Sequence, residues 1–200
     1  MTPLKDKVVL ITGAGKGTGR ALALAFAAQG AIVAANDISP NNVDEVVDEI
    51  IANGGQAQAY IDDIAKKVAV QAIVKDVEDD FGRIDILIHH AAVEPVSPLL
   101  DMDEWDWHRV MNVNLTGVFL VTQSVGRGMR ERGSGVIIHL ITEAGSKRGE
   151  MRAAYLASMA GLRGFSQQAT RELAPYGVHV YAVDTEDNHI LESVLGLCQK

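Results

Sequence analysis

Residues 8–26 read VVLITGAGKGTGRALALAF. Four of the first five are β-branched, which suits a strand, and the last seven are almost wholly apolar, which suits a buried helix. Between them Gly13, Gly17 and Gly19 stand in a G-x-x-x-G-x-G spacing, with Gly15 inside it. No Ser or Thr follows Lys16, so the stretch is not a P-loop. Glycines let the backbone turn sharply and come close to a pyrophosphate. The helix start behind them supplies free N–H groups and a partial positive charge. Glycine used for turn geometry alone is the competing reading. The position after a first strand, inside a β–α–β unit, favours a nucleotide.

The same alternation continues along the chain. Residues 31–36, 57–62, 84–89, 135–141 and 178–183 are further short apolar runs, read as strands covered on both faces. Val43, Val46, Val47, Ile50 and Ile51 form one helical stripe, with Ser39 able to cap it, Pro40 in its first turn and Gly54–Gly55 at its end. A second stripe covers residues 66–81. Longer helices are expected at about 103–131 and 152–175. Strand and helix in strict alternation imply right-handed crossovers and an α/β fold with a parallel, doubly wound sheet. No repeat, low-complexity tract or linker divides residues 1–200, so a single dinucleotide-binding domain is expected.

Composition narrows the function. A net charge of −8 argues against nucleic acid and against an anionic membrane surface. One cysteine, Cys198, excludes an internal disulfide framework. The N-terminus carries charges where a signal peptide needs its apolar core, so a cytoplasmic protein is expected. The second strand ends in Asn36–Asp37. A carboxylate there can accept from both adenosine ribose hydroxyls and would repel a 2′-phosphate, so NAD is expected ahead of NADP. Lys16 is the counter-signal, because a basic residue in the turn can accompany NADP. Asp63 is placed to meet the adenine edge, or else to cap the next helix.

Four segments together resemble the short-chain dehydrogenase/reductase family: TGAGKGTG (12–19), GRIDILI (82–88), MNVNLTGVF (111–119) and YLASMAGLRGFSQQATREL (155–173). The likeness runs from about residue 5 to residue 183. It implies a Rossmann-type three-layer α/β/α sandwich of about six strands, the family's seventh being absent. It also implies NAD(P)-dependent oxidation of an alcohol or reduction of a carbonyl, by a tetrad of Asn, Ser, Tyr and Lys. By that resemblance Asn114, Thr142 (in the serine position) and Tyr155 are the catalytic candidates. Gly13, Gly15, Lys16, Gly17, Thr18, Gly19, Asp37, Ile38, Asp63, Ile64, His90, Ala91, Ala92 and Tyr155 are the cofactor-binding candidates. Ser146 lies near the serine position but at a spacing that does not suit it.

The departures from the family gather at the reactive end. Met159 stands in the lysine position, one helical turn from Tyr155. A phenol titrates near 10, and bringing it to neutrality takes about 4 kcal/mol of electrostatic help, which a thioether does not supply. Arg152 points toward the other end of its helix, and Arg163 lies about 12 Å from Tyr155 along the axis. The family's NNAG reads HHAA at 89–92, its fifth-strand asparagine is His139, and its PG is Thr185–Glu186. The chain stops at Lys200, short of the family's usual extent, leaving out most of the substrate loop. His89, His90 and His139, with Glu143 and Asp184, share one sheet edge. With no cysteine among them and no ligand pair at i, i+4, no metal is expected.

Three readings follow: a weakened oxidoreductase acting on an unidentified small alcohol or carbonyl; a non-catalytic relative binding NAD or its adenosine half as sensor or scaffold; and a structural subunit binding no nucleotide. The glycine turn with Asp37 argues against the third. By resemblance, a homodimer through the helices near 103–131 and 152–175 is expected.

Overall fold

A computed structural model describes residues 4–142 and 151–199. Its order is β1 (Val8–Thr12), α1 (Gly17–Ala28), β2 (Ile32–Asp37), α2 (Pro40–Ala52), β3 (Gln56–Ile61), α3 (Lys67–Phe81) and β4 (Ile86–His89). Then come α4 (Glu104–Met111), a π-helical segment (Asn112–Gly117), α5 (Val118–Arg132), β5 (Gly135–Ile141), α6 (Ala153–Leu173), β6 (Val178–Asp184) and α7 (Ile190–Cys198). The strands form one parallel sheet in the order β3-β2-β1-β4-β5-β6. This is the doubly wound Rossmann order, which reverses between β1 and β4.

Two apolar layers hold the sheet. Leu22 and Phe26 of α1, Val43, Val46 and Ile50 of α2 and Val194 of α7 cover one face. Val70, Ile73 and Val77 of α3, Val121, Val125 and Met129 of α5 and Ala169 of α6 cover the other. The central strands β1 and β4 are buried at every position. Apolarity misleads at the rims: β3 and β6 are edge strands, with buried and more exposed positions interleaved, rather than strands covered on both faces.

Three local features differ from expectation. The helix expected over 103–131 is divided by the π-helical segment around Asn114. Within it the Asn114 carboxamide accepts from the Val93 N–H at 2.8 Å and donates to the Val93 carbonyl at 2.9 Å. Ser39 occupies the N-cap of α2 without a side-chain cap bond; its N–H instead donates to Asp37 Oδ1 at 3.0 Å. Helix α7, which apolar stripes did not announce, packs Val194 beside α1. No helix among the described residues is long and apolar enough to cross a membrane.

Strand register brings the chemistry to one edge. Thr12 lies level with Asn36 and His89, His89 level with His139, and Ile141 level with Asp184. The carboxyl ends of five strands therefore open on the same side, at the switch point where ligands bind in such sheets.

Candidate active site

The glycine turn leaves β1 toward this edge. Gly13 has φ +69° and faces β4 so closely that a Cβ would lie 2.8 Å from the Ala91 backbone. A Cβ on Gly19 would lie 2.1 Å from the Gly13 carbonyl oxygen. The turn and the first turn of α1 thus fold against each other with no room for a side chain. Gly17 opens α1 at φ +52° with open space beyond it, and no acidic side chain occupies the first helical turn. An anion meets only N–H groups and the positive end of the helix there.

Asp37 at the end of β2 also shapes the turn. Its Oδ2 accepts from the Gly15 N–H at 3.0 Å, while Oδ1 holds Ser39. Each oxygen keeps a further lone pair for a ribose hydroxyl. Asp63 Oδ1 accepts from the Ala65 N–H at 3.0 Å, so it organises the entry to α3 as well as facing the cavity. Thr12 Oγ1 receives the His90 and Ala91 N–H groups, both at 3.3 Å, fixing the chain as it leaves β4.

These pieces surround a cavity of about 730 Å³. Gly13, Lys16, Thr18, Asp37 and Ile38 line one end, with Asp63, Ile64, His90, Ala91 and Ala92 along the wall and Tyr155 at the other end. Gly15, Gly17 and Gly19 stand behind the lining and act through backbone shape. Asn114 and Thr142 also stand behind it, 1% and 2% exposed.

At the far end, Tyr155 Oη lies 2.8 Å from Thr142 Oγ1. Thr142 Oγ1 in turn lies 2.9 Å from Thr185 Oγ1, and Thr185 lines the cavity. Asn114 donates to Ser158 Oγ at 3.2 Å, and Ser158 donates to the Tyr155 carbonyl at 2.6 Å. Met159 touches the cavity, yet it also packs with Val118, Ile141, Tyr155 and Leu162 in a small apolar cluster. The methionine is therefore core packing that also lines the cavity. The Arg152 guanidinium pairs with Glu94, and Arg163 lies off the cavity.

His89 and His139 are buried, which disfavours their charged forms. His139 Nδ1 meets Ser166 Oγ at 2.8 Å and Nε2 meets Thr122 Oγ1 at 2.9 Å. The Ser166 hydroxyl donates to the Leu162 carbonyl at 2.7 Å, so it accepts from Nδ1–H, and Nε2 accepts from Thr122. Burial pushes the His139 pKa down to about 4. Burial, with His139 and His90 nearby, holds His89 well below the usual histidine value. No group of three or more His, Cys, Asp or Glu side chains among the described residues could hold a metal. Glu143 and Ser146 lie outside the described residues.

Sequence reasoning missed the wall made by α4. Trp105, His108, Arg109 and Asn112 all face the cavity, and the Arg109 guanidinium lies 5.3 Å from the Trp105 ring centre. Their i, i+3, i+4, i+7 spacing was the available signal. It was obscured because these residues are polar or amphipathic and make no apolar stripe.

The family profile described as short chain dehydrogenase matches residues 7–186. The chain belongs to that family. Among its relatives, a 3-oxoacyl-[acyl-carrier-protein] reductase of Synechocystis sp. is 43% identical over 184 residues, which covers 92% of this chain and 74% of that protein. A D-threitol dehydrogenase of Mycolicibacterium smegmatis is 34% identical over 180 residues, 90% of this chain and 69% of the relative. The structure superposes on a metagenomic short-chain oxidoreductase in complex with NADP with a TM-score of 0.93, at 29% identity, covering 99% of this chain and 93% of the other. An NAD+-bound xylitol dehydrogenase gives 0.87 at 31% identity, covering 97% and 76%. This short-chain dehydrogenase is thus an oxidoreductase with a Rossmann fold that uses a nicotinamide dinucleotide. The residues present fit that group: a glycine cradle that side chains would fill, a helix start free of acids, and a cavity reaching from Asp37 to Tyr155.

Proposed function

We propose that this chain interconverts a small alcohol and its carbonyl compound with NAD as the preferred cofactor, and does so slowly. The observation that carries the reading is the Tyr155–Thr142 hydroxyl pair at 2.8 Å, in a cavity where Met159 replaces a cation. The bound dinucleotide supplies or accepts the hydride. Tyr155 exchanges the proton with the substrate oxygen, and Thr142 holds the phenol. Asn114 fixes the β4–α4 loop and, through Ser158, the start of α6.

NAD is favoured because the Asp37 carboxylate stands where a 2′-phosphate would approach, with its oxygens anchored by Gly15 and Ser39. The pyrophosphate would lie against the turn of Gly13, Lys16 and Thr18, and Asp37, Ile38, Asp63 and Ile64 would hold the adenosine half. His90, Ala91 and Ala92 would stand beside the adenosine ribose. Slow turnover follows from the missing ammonium, since a phenol beside a thioether lacks the charge that would favour its ionised form. The comparisons favour this oxidoreductase reading over a sensor or scaffold.

The test is a calorimetric titration with NAD, NADP and ADP-ribose. The expected order is NAD tighter than ADP-ribose and both tighter than NADP; NADP binding tightest would end the assignment. A homodimer through α4–α5 and α6 belongs to the same proposal. Phe119, 41% exposed, and Phe165 form an edge-to-face pair in the groove between α5 and α6. Light scattering on that sample is expected to give twice the chain mass.

A further inference from the structure

We propose that Thr185 is a positioning residue for proton transfer at Tyr155, acting through Thr142. The proposal rests on the reading of Tyr155 as the group that exchanges a proton with the substrate oxygen. Three hydroxyls stand in a row: Tyr155 Oη, Thr142 Oγ1 at 2.8 Å from it, and Thr185 Oγ1 at 2.9 Å from Thr142. The middle one is 2% exposed, and the last belongs to the cavity wall.

A hydroxyl has one proton and two lone pairs. Thr142 can therefore donate to only one of its two neighbours and must accept from the other if both contacts are hydrogen bonds. When Thr185 donates to Thr142, Thr142 donates to Tyr155, and the phenol acts as the donor toward the substrate oxygen. This direction suits carbonyl reduction. When the row reverses, Tyr155 donates to Thr142, Thr142 donates to Thr185, and a phenol lone pair faces an alcohol O–H. Thr185 completes the row in either direction.

The row also balances protons. In reduction the substrate oxygen takes the Tyr155 proton, Tyr155 regains one from Thr142, Thr142 from Thr185, and Thr185 from a water in the cavity. One proton enters for each substrate oxygen protonated, and no charge stays on the three side chains. Oxidation runs the same path outward. Such a row gives the phenol a route to solvent that does not need the absent ammonium. A purely structural role, tying the end of β5 to β6, is already served by the backbone. The Thr185 N–H donates to the Ile141 carbonyl at 2.7 Å whatever the side chain does.

The test uses protein labelled with carbon-13 at the tyrosine Cζ. Of the four tyrosines, Tyr155 is the one whose signal vanishes in Tyr155→Phe. Thr185→Val, which keeps the shape and removes the hydroxyl, is expected to move the Tyr155 signal. Thr185→Ser, which keeps the hydroxyl, is expected to leave it close to its original place. Thr142→Val should move it further, and adding Thr185→Val to that variant should change nothing more. In turnover, Thr185→Val is expected to lower kcat about fivefold with little change in KM, the size of one net hydrogen bond. An unmoved Tyr155 signal in Thr185→Val, or an equal movement in Thr185→Ser, overturns the proposal. Full turnover in Tyr155→Phe would instead remove the acid–base reading of Tyr155, whatever the spectra of the Thr185 variants show.

Discussion

The two ends of the cavity are built in different ways. At the Asp37 end the backbone does the work: Gly13 and Gly19 leave no room for a Cβ, and Asp37 grips the turn through the Gly15 N–H. At the Tyr155 end side chains do it: a row of three hydroxyls, a buried thioether, and an arginine engaged with Glu94. A backbone cradle is stiff and depends on steric exclusion. A side-chain site depends on single hydrogen bonds and charges, so it can lose one member and keep its shape. Met159 fits this, packing with Val118, Ile141, Tyr155 and Leu162 beside the Tyr155–Thr142 pair.

The sharpest way to break this contrast is Gly19→Ala. The new Cβ would lie 2.1 Å from a backbone oxygen, which no side-chain rotation relieves. The expected cost is about 3 kcal/mol or more of stability, with cofactor binding lost in calorimetry. Near-normal stability would show that the cradle is softer than its geometry implies.

Between the two ends lie His89 and His139, and pH probes them. Their folded pKa values are depressed, so the unfolded chain binds more protons as pH falls. Their contribution is intact above the unfolded histidine value near 6.5, and it is lost as pH falls toward the folded value, about 4 for His139. On the order of 3 kcal/mol is expected to go over that window from His139 alone. Urea midpoints from pH 7 to 4 measure it. His139→Asn, which can still bond Thr122 and Ser166, should flatten the curve; an unchanged slope would assign the acid sensitivity elsewhere.

A smaller effect is expected at the Tyr155 end. Met159→Lys is expected to raise kcat/KM about tenfold, equivalent to about 1.4 kcal/mol. It should also lower the stability of the cofactor-free protein, because an ammonium enters a site only 4% exposed. No gain would mean that the missing ammonium is not what limits the chemistry, and would turn attention to the hydroxyl row.

Several of these features are written in the order of residues alone. The turn of residues 12–19 was legible because its glycines are neighbours in sequence, and Asp37 because it closes the next strand. The α4 wall was only half legible: its helical spacing is present, but Trp105, His108, Arg109 and Asn112 are not an apolar stripe. The break at Asn114 was hidden, as was the bonding of its carboxamide to Val93, 21 positions away.

Local spacing by itself therefore determined the alternating α/β architecture, the glycine turn after the first strand and the carboxylate that closes the second, while the resemblance to the family pointed to Met159. Each of these is read from short runs and their order along the chain. Only the tertiary structure decided that Arg152 is paired with Glu94, that His139 is satisfied by two hydroxyls, and that Thr185 reaches Tyr155 through Thr142. Those contacts join β4, β5, α5, α6 and β6, and a sheet brings together residues whose separation along the chain carries no sign of it.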